Sequence, residues 1–434
     1  MKKIVFILSL AVAILSCTKE NVANRDDRAE GIKNSGSEML LFAEIPQMKK
    51  DTRAIADGSF SWADGDQIAI PISGGYAIFT YDSSKSAFTY TLTGSETFED
   101  GTAYYPASVA DGSYSTSFAN ADAARAGFKM EAPYTVGASS LTFSHISSLI
   151  DLNFSNVPPF ATAVSVKAGS EVVATVALSN PGSNVEVKVP VTPAGSKAYS
   201  FALLAGENVL KQVSKTASLV AGTYYTTPGI EAPMYLCVKD TKIAAGSVWE
   251  SSRTIWYSST DGDIAKTFTI SIGSHSYNVF ELGGSVDDDG TAWTVYYKGG
   301  NSCEVAIPMT TVPGQADYYY ITDGIQVASV GADPSSPAAL PSTPRVYVQT
   351  NWNDLYCHMW GGDSSTTWPG TIFTETSSKY YGDPWKYVNL INNTTSFIIN
   401  NGEQTADLLI SDYAVDGSCY MFFYGASFYG KVTW

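Results

Sequence analysis

Val185-Glu186-Val187-Lys188-Val189 alternates apolar and charged side chains with a period of two, the signature of a strand with one face in a core and one in water. The same texture recurs in Gln67-Ile68-Ala69-Ile70-Pro71-Ile72 and in Tyr199-Ser200-Phe201-Ala202-Leu203, with turn signals such as Asp64-Gly65-Asp66 between runs. Long Ala/Leu/Glu/Lys runs are scarce, while Thr, Ser, Val and Gly abound beside 27 Tyr and 9 Trp. Such a chain favours sheets over helices. With 434 residues it is long enough for several cores, so an all-β array of tandem β-sandwich domains is the expected fold.

The beginning of the chain suggests an address. Lys2-Lys3 precede an apolar stretch from Ile4 to Leu15, too short to span a bilayer as a helix and suited to a signal peptide over residues 1–17. Ile14-Leu15-Ser16-Cys17 resembles a lipobox, which would make Cys17 the lipidated N-terminus and the membrane a partner through that anchor; an ordinary secretory signal with an incidental cysteine reads the same way. Cys17-Thr18-Lys19-Glu20 is similar to signals that send Bacteroides-type lipoproteins to the outer face, implying a lipid anchor in the outer membrane at the cell surface. Residues 18–38 read as a polar tether. Residues 331–344, from Gly331 through Pro334, Pro337, Pro341 and Pro344, read as a semi-rigid spacer that holds the following module at a distance. After Cys17 come Cys237, Cys303, Cys357 and Cys419. Proximity favours pairing Cys237 with Cys303 and Cys357 with Cys419, and free buried thiols fit equally well.

Charge removes some functions. A formal charge of −16 with no basic stripe argues against nucleic acid, whereas a neutral sugar polymer meets no repulsion. His145, His275 and His358 show no zinc-type spacing, and no nucleophile elbow, P-loop or dinucleotide fingerprint occurs, so neither an enzyme, a cofactor nor a metal is expected. Asp287-Asp288-Asp289-Gly290 lacks the spaced ligands of a calcium loop and reads as an exposed turn. Residues 233–330 form a β-module of unknown role, whose Trp249, Trp256, Tyr257, Trp293, Tyr296 and Tyr297 suit a core better than a second sugar site.

Thr52-Arg53-Ala54, Phe60-Ser61-Trp62-Ala63-Asp64-Gly65-Asp66-Gln67-Ile68 and Tyr104-Tyr105-Pro106 resemble the first domain of fimbrillin-like lipoproteins. Leu219-Val220-Ala221-Gly222-Thr223-Tyr224-Tyr225 is similar to the closing strand of their second domain. The resemblance implies two β-domains, 39–148 and 149–232, and assigns Arg53 to the place where an arginine-specific protease cuts before assembly by strand addition. A solvated loop arginine fits that position too.

The last module, residues 345–434, holds the strongest signal. In Tyr356-Cys357-His358-Met359-Trp360 the two sulfur side chains share one face and the three rings the other. Rings turned outward suit pyranose C–H faces, and Asn400, Asn401 and Gln404 offer uncharged donors and acceptors for the hydroxyls. With Trp368-Pro369-Gly370, Trp385-Lys386-Tyr387 and Asn400-Asn401-Gly402-Glu403-Gln404-Thr405-Ala406-Asp407-Leu408, the order resembles the family 26 carbohydrate-binding module, a starch-binding β-sandwich. That resemblance implies stacking on Tyr356 and Trp368, hydrogen bonding near Asn401 and Gln404, and His358 where tyrosine is usual; Trp360 fits a platform or a structural anchor. The leading expectation is thus a surface lipoprotein that binds starch or maltooligosaccharides and works beside glycan-uptake proteins. The alternative is a fimbrial or adhesin subunit, with fimbrial proteins as partners, polymerising by strand exchange.

Overall fold

In the computed structural model the chain is all-β, built of several sheets as the alternation predicts. It describes residues 36–45, 47–50, 61–240, 254–256, 263–282, 292–299, 303–310, 319–322, 325, 327–329, 334–337, 340, 343–380, 383–415 and 418–432. Cys17, Arg53, Trp249, Tyr257 and the run Asp287 to Asp289 lie outside the described residues.

The first unit is an eight-stranded sheet closing over Leu41, Ile68, Ile70, Phe79, Phe88 and Met130. Strand Glu38–Glu44 changes partner midway, antiparallel to Ala87–Thr91 and then parallel to Ser140–Thr142. The Asp64-Gly65-Asp66 turn is built by its carboxylates. Asp66 accepts the Ala63 N–H at 2.8 Å, and Asp64 accepts the Ser83 N–H at 2.6 Å and its hydroxyl at 2.7 Å. Gly65 supplies the left-handed φ of +90° that the turn needs. Trp62 pins this turn to the core: its indole N–H reaches Ala43 O at 2.8 Å, and its ring meets Phe88 and Tyr105 edge-on at 4.9 and 5.1 Å.

The second unit is a sandwich. Strand Ser148–Ser155 lies between Asn184–Val191 and Thr223–Thr226, facing a sheet centred on Ala163–Ala168 and Ser196–Ala205. Leu152, Val164, Val166, Val176, Val189 and Leu203 fill the space between. Two short strands tie the first two units together. Lys49–Lys50 pairs with Thr223–Thr226, and Ser117–Phe118 pairs with Glu171–Ala177.

In the third unit, strand Met234–Asp240 is buried on both faces. Tyr235 and Cys237 face the second unit's core, while Leu236 and Val238 face the third unit's own, beside Phe280 and Val295. The Tyr235 hydroxyl donates to Leu210 O at 2.6 Å across that junction. Tyr297 is a core residue, packed edge-on against Phe280 at 5.8 Å.

Cys303 pairs with Tyr380 and Glu304 with Lys379, so a sheet of the third unit continues into the last one, and Pro334 O accepts the Tyr277 hydroxyl at 2.8 Å. The last unit is thus joined to the third by main-chain pairing beside the proline-rich stretch. The Cys357–Cys419 pairing is not formed. Cys237, Cys357 and Cys419 are free buried thiols, and burial pushes the Cys419 thiol up to about 12 and raises the other two as well. The Cys303 side chain lies outside the described residues, so Cys237 is free without reference to it.

Candidate carbohydrate site

The last unit is a two-sheet sandwich. Arg345–Gln349, between Asp383–Asn389 and Ser418–Phe423, sends Val346 and Val348 inward to meet Cys357 and Met359 from the opposing strand Tyr356–Trp360. Burial along Tyr356–Trp360 alternates as the sequence demands. Cys357 and Met359 are in the core, and Tyr356, His358 and Trp360 are half-buried on the outer face.

A turn brings Trp368 to this face. Gly370 N–H donates to Thr367 O at 2.8 Å, the Trp368-Pro369 peptide is cis, and Gly370 takes a φ of +111°. The turn lies so close to the strand that a Cβ on Gly370 would sit 2.2 Å from Cys357 O. Only glycine fits. Trp368 itself remains 53% exposed.

A second loop closes the cleft from the other side of the strand. Asn400 pairs with Tyr356 in the ladder and bridges to Gln404, and its buried amide donates to Pro369 O at 2.9 Å. The result is a cleft of about 310 Å³ lined by Tyr356, Trp368, Pro369, Asn400, Gly402 and Gln404. Of the residues marked from sequence, Tyr356, Trp368, Asn400 and Gln404 line it.

His358 and Trp360 sit beside the cleft and do not line it. Their rings stack with centroids 5.5 Å apart at 28°, and the His358 ring meets Trp368 edge-on at 5.5 Å. Thr366 Oγ1 accepts the Met359 N–H at 2.9 Å and lies 2.9 Å from His358 Nδ1. His358, held by Thr366, lies against the Trp368 ring. Asn401 is turned to its own loop: its N–H reaches Glu403 O at 3.0 Å and its side chain accepts the Glu403 N–H at 3.4 Å. Of the two asparagines marked there, Asn400 stands in the wall and Asn401 does not, and the Asn400–Pro369 contact spans 31 residues, beyond any local pattern.

A larger groove, about 1220 Å³, lies between the second and third units, but its rings Phe160 and Tyr319 are buried and offer no flat face to a sugar. The three histidines stand in three different units, and no group of three metal-binding side chains occurs among the described residues. No helix among these residues is long and apolar enough to cross a membrane.

No protein-family model matches the chain, the stretch from Arg345 to Ile410 included, and no curated protein matches. Solved structures do. One from Bacteroides ovatus, provisionally assigned to cell adhesion, is 13% identical and covers 45% of this chain and 95% of its own, with a TM-score of 0.29. Structures with the same provisional assignment come from Bacteroides uniformis (18% identity, 44% and 91% coverage, TM-score 0.25) and Bacteroides fragilis (13%, 49% and 95%, 0.26). At these scores the site must be read from its own geometry.

Proposed function

We propose that this chain is a surface recognition protein of the adhesin type, and that its C-terminal sandwich holds a neutral glycan of the starch class. One observation carries the reading: an exposed tryptophan and a half-buried tyrosine share a cleft with two uncharged amides, Asn400 and Gln404. Aromatic faces accept pyranose C–H bonds, and amides exchange hydrogen bonds with hydroxyls without the desolvation cost of a charge. The choice of α-glucan over other sugars rests on the resemblance carried by Tyr356, Trp368-Pro369-Gly370 and Gln404.

Retention of the full chain on starch, cellulose and other polysaccharide gels tests this. Retardation on starch alone is the expected result, and equal mobility on every gel counts against it. For the lipid anchor the motive is Cys17 after the apolar run. A fatty-acid analogue should label the wild type and spare Cys17→Ala, and equal labelling of both removes the anchor.

A second reading, assembly as a fimbrial subunit by strand exchange, is favoured by the edge strand Asn208–Ser218, eleven residues long and paired on one side only among the described residues. The adhesion assignment of the Bacteroides structures suits both readings. Cleavage beside Arg53 followed by a ladder of larger species would support assembly; clean cleavage with no ladder would leave a tethered receptor.

A further inference from the structure

We propose a second sugar platform, on the opposite face of the C-terminal sandwich, centred on Phe428; this rests on the glycan reading of the cleft. Phe428 is 63% exposed, the most exposed large apolar side chain among the described residues. It stands in the turn after strand Ser418–Phe423, held by Tyr424 N–H to Phe428 O at 2.9 Å and Phe428 N–H to Gly425 O at 3.0 Å. Its ring leans on Phe422 at 5.5 Å and Tyr424 at 6.0 Å, with tilts of 51° and 36°. The three rings form a shallow slope of aromatic surface.

The rim is polar. The Tyr424 hydroxyl donates to Asp383 Oδ2 at 2.5 Å, and the Gln349 amide donates to both Tyr424 and Asp383. The Phe428 ring is thus bordered by the half-buried Tyr424 phenol and Asp383 carboxylate, which the buried Gln349 amide holds in place.

The register places this platform on the other side of the module. Val346 and Val348 point into the core between the sheets, so Tyr347 and Gln349 point to the other face, where both are buried and Tyr347 joins a second cluster with Trp385 and Tyr420; Phe422, opposite Gln349 in the ladder, packs against that cluster, and Phe428 stands exposed at its end. The two platforms meet at one end of the sandwich, where Gly425 lies between Trp352 and the Glu403 carboxylate of the Asn400–Gln404 loop.

The occupant follows from size and charge. Three rings of roughly 150–250 Å² each, partly covering one another, fall short of the roughly 800 Å² per partner of a stable protein interface. Asp383, Glu403 and a net charge of −16 disfavour an anion such as nucleic acid or an acidic headgroup. A neutral ligand with one apolar face and many hydroxyls remains, which is a sugar ring. Two platforms on one module would grip a long or branched α-glucan at two points, raising retention on polymer above what either site achieves with a short oligosaccharide.

Maltoheptaose titrated calorimetrically into the full chain, with retention on starch gels in parallel, tests the proposal. The wild type should take up two equivalents. Phe428→Ala should take up one, with cleft affinity unchanged and starch retention lowered roughly tenfold or more through lost avidity. Phe428→Tyr should restore the second equivalent, and unchanged thermal unfolding of Phe428→Ala would exclude misfolding as the cause. One equivalent in the wild type, abolished by Trp368→Ala and untouched by Phe428→Ala, would overturn the second platform and leave the cleft standing. No uptake by the wild type would overturn both.

Discussion

Replacing Trp368 by alanine is expected to abolish most α-glucan binding at the cleft while leaving the fold intact. Trp368 is more than half exposed and its ring touches His358 at 5.5 Å, so truncation removes ligand-facing area and little core packing. Loss of an aromatic anchor of this kind costs about 2 kcal/mol or more, roughly thirtyfold in affinity. Tyr356→Ala should weaken binding to a similar degree. Gln404→Ala should cost less, because water can take over an amide's hydrogen bonds at an open rim. Affinity measured beside the thermal unfolding midpoint separates the cases. Full α-glucan affinity in both aromatic variants would rule out the cleft as the site.

Gly370→Ala is expected to damage fold and binding together. Its φ of +111° is strained for any residue with a Cβ, at about 1–3 kcal/mol, and that Cβ would meet Cys357 O at 2.2 Å and His358 N at 2.5 Å. These are main-chain atoms of a central strand and cannot swing aside, so the turn must lift away and carry Trp368 with it. Gly402→Ala provides the control. Gly402 has a φ of +106° but nothing within 4 Å of the Cβ position, so it should show the conformational cost alone and keep its cleft. Differential scanning calorimetry and starch retention on both variants check the contrast. Equal, mild effects would mean that the turn can move without consequence and that the cleft does not depend on its closeness to the strand.

The difference between these glycines marks how far the sequence is readable. Trp368-Pro369-Gly370 shows from its text alone that a turn is there. That the turn lies so close to the strand that a Cβ on Gly370 would fall 2.2 Å from Cys357 O is a tertiary fact. Likewise, the alternation in Tyr356–Trp360 correctly separates Cys357 and Met359 from the three rings, since strand geometry turns successive side chains to opposite faces whatever the neighbours. That His358, whose ring meets Trp368, is itself held by the Thr366 hydroxyl depends on a loop folding back eight residues later.

Local pattern alone therefore determined the all-β class, the inner and outer faces of the strands, and the residue types gathered at Tyr356, Trp368 and Gln404. Period and turn chemistry are properties of neighbouring residues, and they survive without knowledge of the rest of the chain. Tertiary structure decided which elements pair. Lys49–Lys50 and Ser117–Phe118 are too short to carry any period, yet they link two units. Strand Met234–Asp240 is buried on both faces because a neighbouring unit packs where water would otherwise lie. The same holds for the thiols and for the wall of the cleft: Cys357 and Cys419 share a core without bonding, and Asn400 reaches Pro369 across 31 residues. Such choices are made by contacts between residues distant in the chain, where packing and main-chain hydrogen bonding outweigh local preference.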